Sequence, residues 1–231
     1  MRKLTCLLAL SLMIYVNIPF ADEKGAETPP DQAVSGTGKV LNIAHRYVNT
    51  GKYKEPRKGD PVAMAYEFLE LNQDAFQITN PRQELLYKRT VESKLTGTKR
   101  VDFEQVYQGV RVLFGGFKVI LNRNGEIEGI GAKYYYDIDL STTPQIDSAT
   151  VVKIALEEMG SPPRPKIVGR SQPFIVPSKI FNPNQADRFY LIWIVEIFPD
   201  STKHLDEFDR FYVDALTGSI IFRDQGSILI R

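Results

Sequence analysis

The sequence predicts an α+β protein of two small domains, each an antiparallel sheet with a helix packed on one face. Three features lead there. The run Arg100–Tyr134 alternates polar and apolar residues on both sides of Asn124-Gly125. That dipeptide tolerates positive φ at both turn positions and marks a β-hairpin. Two stretches carry helix punctuation: Asp60-Pro61 ahead of one apolar stripe, and Asp147 before another that closes at Gly160. Near the C-terminus, Arg210–Asp214 and Ser219–Arg223 read as a last hairpin across Ala215–Gly218.

The chain opens with Arg2 and Lys3, then the apolar run Leu4–Val16 and a small residue, Ala21, before Asp22 and Glu23. That is the pattern of a secretory signal peptide over residues 1–21. Removing Arg2 and Lys3 from the 29 basic residues leaves 27 against 28 acidic ones, a net charge of −1. Near-neutrality argues against an electrostatic nucleic-acid binder. The single cysteine, Cys6, falls in the signal segment, so the exported chain has no disulfide and no thiol chemistry. No later stretch is long and apolar enough to span a bilayer, so no membrane association is expected after signal cleavage.

Residues 22–58 are expected to form a flexible leader. Asp22–Gly38 has almost no large apolar residue, and a basic, turn-rich loop fills Gly51–Asp60. Between them Val40–Val48 is short and mixed, a strand or a helical turn. From Asp60 a helix follows, with Ala65, Phe68, Leu69 and Asn72 at helical spacing and Phe76 packing beyond its end. Leu85–Ser93 reads as a strand, and Thr96-Gly97 turns into the hairpin. Val101, Phe103, Gln105 and Tyr107 fall on one face of the first arm, and Val119, Leu121, Ile127 and Ile130 flank the Asn-Gly turn. Gly109, Gly115 and Gly116 permit a bulge or tight bend between strands. The arm then extends through Lys133–Leu140, rich in tyrosine.

The character changes at Ser141–Pro144, where a domain boundary is expected. Asp147 caps a helix over Ser148–Met159 with Val151, Val152, Ala155, Leu156 and Met159 as its buried stripe. After a proline-rich stretch, Arg188–Phe198 is a strand whose outer part, LIWIVEIF, is nearly all apolar.

Catalytic constellations are absent. The two histidines, His45 and His204, are far apart, and neither sits in the H-E-x-x-H spacing that a zinc protease uses. No G-x-S-x-G occurs. Asn122–Glu126 lacks the ligands of a calcium loop and reads as a turn. Asp206, Glu207 and Asp209 beside His204 read as a hydrated loop. The expectation is a non-enzyme with no cofactor and no metal.

The run from Val101 to Gly125 resembles the fungalysin/thermolysin-type propeptide motif, V-x-F-x-Q-x-Y-x-G-x-P-V-x-G-G followed by a strand and a D/N-G turn. Phe103, Gln105, Tyr107, Gly109, Val112, Gly115, Gly116 and Gly125 match in order, and Phe68, Leu69 and Asn72 match the F-L-x-x-N helix before the sheet. Arg111 stands where that family usually has proline. The second half resembles a PepSY domain through Ile146, Val151 and Ala155, then Tyr212, Val213, Asp214, Ala215, Thr217, Gly218 and Ile220. The resemblances imply a propeptide-like domain at 59–140, a PepSY-like domain at 141–224 and a C-terminal tail at 225–231, in the order found in precursors of thermolysin-like metalloproteases. They imply a freestanding secreted or periplasmic protein that binds such a protease as inhibitor, folding chaperone or both. Ile228, Leu229 and Ile230 are then candidate anchors in the protease cleft, by strand addition. The competing expectations are a non-catalytic envelope protein that binds a ligand or peptide, and a truncated protease precursor.

Overall fold

The computed structural model describes residues 35–47, 59–169, 172–184, 188–199 and 207–227. Signal segment, His204, Asp206 and the tail anchors Ile228–Ile230 therefore lie outside the described residues. The class is α+β, mostly antiparallel strand with short helices.

Strand β1 (Gly36–Tyr47) is followed by helix α1 (Pro61–Leu71) and two single-turn helices, α2 (Gln73–Phe76) and α3 (Pro81–Glu84). A four-stranded meander comes next: β2 (Leu85–Glu92), β3 (Lys99–Tyr107), β4 (Val110–Leu121) and β5 (Ile127–Asp139). The second half holds α4 (Ser148–Glu158), β6 (Lys166–Gly169), β7 (Phe174–Pro177), β8 (Arg188–Phe198), β9 (Glu207–Asp214) and β10 (Ile220–Ser227).

Local chemistry sets the helices. The Asp60 carboxylate accepts from the N–H groups of Val62 and Ala63, with Pro61 at the first helical position. Such a cap stabilises by about 1 kcal/mol. The Asn72 side chain donates to the Phe68 carbonyl at 2.7 Å and helps end the helix. Asp147 accepts from Thr150 N–H at 2.7 Å, and Gly160 at φ 77° follows the last turn of α4.

The strand path is β10-β9-β8-β1-β5-β4-β3-β2 in one sheet, so β2 and β10 are its edges. Three expectations change. Residues 36–47, placed in the leader, form a strand in the middle of the path, antiparallel to β5 over most of its length and touching β8 at Gly36 and Thr37. Strand β5 needs a partner on that side, and Leu41 and Ile43 gain a place against the core. The run 100–134 is two consecutive hairpins, because Gln108 (φ 47°) and Gly109 (φ 83°) form a tight two-residue turn between β3 and β4. Residues 225–227, assigned to the tail, pair with β9 down to Ser227 opposite Glu207. The sheet is also not wholly antiparallel: β4 meets β7 in parallel at Val112 and Ile175.

Two large cores form. Ala65, Phe68 and Leu69 of α1 pack on Val101, Phe103, Phe117, Val119 and Tyr134. Val151 and Ala155 of α4 pack with Tyr135, Leu191, Trp193, Phe211 and Val213. Consecutive strand residues point to opposite faces. Tyr134 and Tyr135 therefore place the two cores on opposite faces of β5. Strand β4 is shared as well: Val112 belongs to the second core and Phe117 to the first.

Candidate functional site

The motif residues meet at a bend in β4. Along its second half, Gly116 to Leu121, this strand pairs with β5; at its start, Val112 pairs with β7. Leu113, Phe114 and Gly115, between these stretches, have no register partner among the described residues. Gln105 fills the resulting fork. Its side chain passes β4 to reach Tyr135 on β5, where the amide nitrogen donates to the Tyr135 carbonyl and the amide oxygen accepts from the Tyr135 N–H at 2.9 Å. A side-chain amide thus replaces a missing stretch of ladder, and Gln105 is buried in doing so.

The two glycines make room for that crossing. A Cβ at Gly115 would lie 2.5 Å from Gln105 Oε1 and 3.0 Å from its Cβ. A Cβ at Gly116 would lie 2.1 Å from the Phe103 carbonyl oxygen, a backbone atom that cannot swing away. Phe103 packs at 4.7 Å, centroid to centroid, on Tyr66 of α1. Tyr107 is half-buried against the second core, and its hydroxyl accepts from Gln108 Nε2 at 3.1 Å.

Phe114 stands apart. Its φ is 65°, in the left-handed region, yet its side chain is 61% exposed. The other non-glycine residues with positive φ among the described residues are Gln77, Gln108, Asp137 and Ser161, all polar. Left-handed backbone costs a non-glycine residue about 1–2 kcal/mol, and burial of this ring recovers little of it. The bend turns Phe114 outward at the rim of a groove of about 820 Å³.

The groove floor is the face of β2–β5 opposite α1. Asp102, Glu104, Lys118 and Lys133 project from it, with Lys88, Arg89 and Arg111 around them and Phe114 and Phe174 at the rim. Asp102 is buried and accepts from Arg100 at 2.7 Å and Arg89 at 2.9 Å. Burial alone would raise its carboxyl; the hydrogen bonds from Arg100 and Arg89 outweigh that and hold it below the usual carboxylate range. Glu104 pairs with Lys88 at 2.6 Å and, more loosely, with Arg111 at 3.6 Å.

Residues 84–134 match the Fungalysin/Thermolysin Propeptide Motif. This span begins and ends on a hydrogen bond, from the Tyr134 hydroxyl to the Glu84 carboxylate. Burial and that carboxylate together push the Tyr134 phenol up. Among solved structures the chain is similar to the Bacillus megaterium YpeB C-terminal domain, with 14% identity over 79% of this chain and 71% of that one, at a TM-score of 0.37. No curated protein matches the chain. The matched motif is a propeptide motif rather than a catalytic one. Among the described residues no cluster of three or more His, Cys, Asp or Glu could hold a metal, and no helix is long and apolar enough to cross a membrane.

The second set of sequence-selected residues builds a turn in the other core. Asp214 is fully buried, and its carboxylate accepts from Leu216 N–H at 2.7 Å and Thr217 N–H at 3.2 Å. The Thr217 hydroxyl accepts from Ser219 N–H at 3.2 Å. Gly218 has φ 82°, and a Cβ there would meet Ile146 Cδ1 at 2.7 Å. Tyr212 meets Phe181 edge to face at 5.1 Å; burial raises its phenol although Arg210 pulls the other way. The structure therefore does not bring Tyr212, Asp214, Thr217 and Gly218 to the groove. Asp214, Thr217 and Gly218 close the β9–β10 hairpin, and Tyr212 packs with Phe181 and Phe222 against a smaller third cluster. Phe103, Gln105, Gly115 and Gly116 do converge, and Gly109 serves the turn before them. The sequence reading missed Phe114, Lys118 and Lys133. The usable signal was a phenylalanine directly before Gly-Gly, with Lys118 at an alternate position just beyond it.

Proposed function

We propose that this chain is a secreted, propeptide-like protein that binds a thermolysin-like zinc metalloprotease and acts on it as inhibitor, folding assistant or both. The observation that carries the reading is the propeptide motif at residues 84–134, whose Gln105, Gly115 and Gly116 build the bend described above. A propeptide works by presenting a preformed surface complementary to its protease, and a bend pinned by a buried side chain suits that role. In the same reading residues 59–140 form a propeptide-like lobe and 141–224 a PepSY-like lobe around the second core. The tail anchors Ile228, Leu229 and Ile230 follow directly on β10, an edge strand, from which an added strand could reach the protease cleft.

The test is a titration of residues 22–231 against a thermolysin-like protease turning over a small peptide substrate. A parallel protein ends at Ser227, which keeps β10 whole and preserves the contact of Asp224 with Arg210. Inhibition that weakens with the shorter protein establishes a tail-dependent inhibitor. Equal inhibition places the contact on the folded sheet. Recovery of a denatured protease only in the presence of this protein establishes the folding role. The absence of both inhibition and recovery refutes the proposal and leaves envelope ligand binding as the reading.

A further inference from the structure

We infer that the groove at the β4 bend is a binding site for an extended acidic segment of a partner protein. This does not depend on the partner being a protease.

Charge is the first argument. The groove carries five cations against two carboxylates, and both carboxylates are already engaged by arginine or lysine. Lys118 and Lys133 have no carboxylate partner among the described residues. Lys118 sits opposite Gly131 and Lys133 opposite Gly116, so the two lysines are diagonal neighbours on one face of adjacent strands. Each has glycine on one side, while Asp102 lies across from Lys118 and Asn42 across from Lys133 on the other, and both lysine side chains are exposed. Carboxylates at alternate positions of an extended peptide repeat at the spacing these lysines offer.

Backbone is the second argument. Leu113–Gly115 lie beyond the Val112–Ile175 pair and before the β4–β5 register, with no register partner among the described residues, and an extended peptide, unlike a small anion, can align with such a stretch. Phe114 is the third. A large ring held outward by left-handed backbone at the edge of a cationic groove gives an apolar side chain of the peptide a place to pack. Together the three features select an acidic peptide with an interspersed aromatic residue over a metal, a neutral ligand or a basic chain.

The experiment uses residues 22–231 and a blocked pentapeptide of alternating glutamate and phenylalanine. Binding is followed by calorimetry and by amide shifts in nitrogen-15 spectra at low salt. Saturable binding is expected, with shifts concentrated at 113–118 and 131–133. Lys118→Glu with Lys133→Glu should weaken it at least about tenfold, the equivalent of one lost charge-assisted contact. Both lysines are exposed, so the fold should survive. Phe114→Gly should weaken binding with no loss of thermal stability. The lysine–phenylalanine counterpart should not bind. The proposal is overturned by no binding at about 1 mM peptide, by binding that ignores these variants, or by equal binding of the basic peptide. It is equally overturned by stronger binding of oligothymidylate, or by a dimer of the protein that the lysine changes abolish, which would assign the groove to a second copy.

Discussion

Gln105→Ala tests whether the fork between β4 and β5 is held by one side chain. The wild-type amide is 2% exposed and serves the N–H and the C=O of Tyr135. Truncation withdraws a donor and an acceptor from a site that water does not reach. At about 1–3 kcal/mol for each buried polar group so deprived, the expected loss is about 3 kcal/mol. Gly115→Ala should cost about 2–3 kcal/mol by a different route, since its Cβ would press on Gln105 Oε1 at 2.5 Å and on Gln105 Cβ at 3.0 Å. Only the first contact disappears in the Gln105→Ala background. The double variant should therefore be less destabilised than the two single losses combined by about 1–2 kcal/mol. Urea unfolding followed by far-ultraviolet circular dichroism measures all three, and exchange of the Tyr135 amide should quicken in Gln105→Ala. Additive losses, or an unchanged Tyr135 amide, would refute the view that Gln105 is the pin.

Phe114→Gly should leave the midpoint unchanged or raise stability by up to about 1 kcal/mol, because glycine adopts φ 65° freely and the lost ring is mostly in water. Asp102→Asn should cost about 1–2 kcal/mol and flatten the acid limb of the stability profile. Asp102 has a depressed carboxyl in the folded state, so its contribution is complete above the unfolded value of about 3.9 and fades as pH falls through the folded one; urea melts from about pH 2 to 6 read this. Trp193, the single tryptophan, lies in the second core with its indole bonded to the Ile146 carbonyl at 2.9 Å. Because β4 and β5 contribute to both cores, its fluorescence and the circular dichroism should report one midpoint; two separated transitions would show that the two cores unfold independently.

Elements whose signals lie within a few residues were legible. Asp60 and Asp147 cap helices through N–H groups two or three positions ahead, and the Asp214 carboxylate closes its own turn in the same way. The Asn124-Gly125 turn lies where expected, although only Gly125, at φ 81°, takes positive φ, in a connection closed by Asn122 N–H to the Glu126 carbonyl. At Gln108-Gly109 the glycine marked a tight bend, but nothing local marked Gln108, which takes φ 47° as the other turn residue. Strand β1 stayed open between strand and helical turn because Val40, Asn42 and their neighbours have no strong alternation; Val40 is 39% exposed and Asn42 is exposed too. What makes this segment a strand is the open edge of β5, nearly a hundred residues away in sequence, with Leu41 opposite Tyr134.

The chain by itself determined the α+β class, the two capped helices, the hairpin turns and the glycines that a bend requires, since each rests on backbone geometry and hydrogen bonds closed over short spans. It also carried the propeptide motif. Only the tertiary structure decided what those glycines are for. Gly115 and Gly116 clear a path for Gln105 to a residue thirty positions on, and that crossing turns β4 from one core to the other and leaves Phe114 outside. Register between distant strands is set by how two cores share them, and no local pattern encodes that choice.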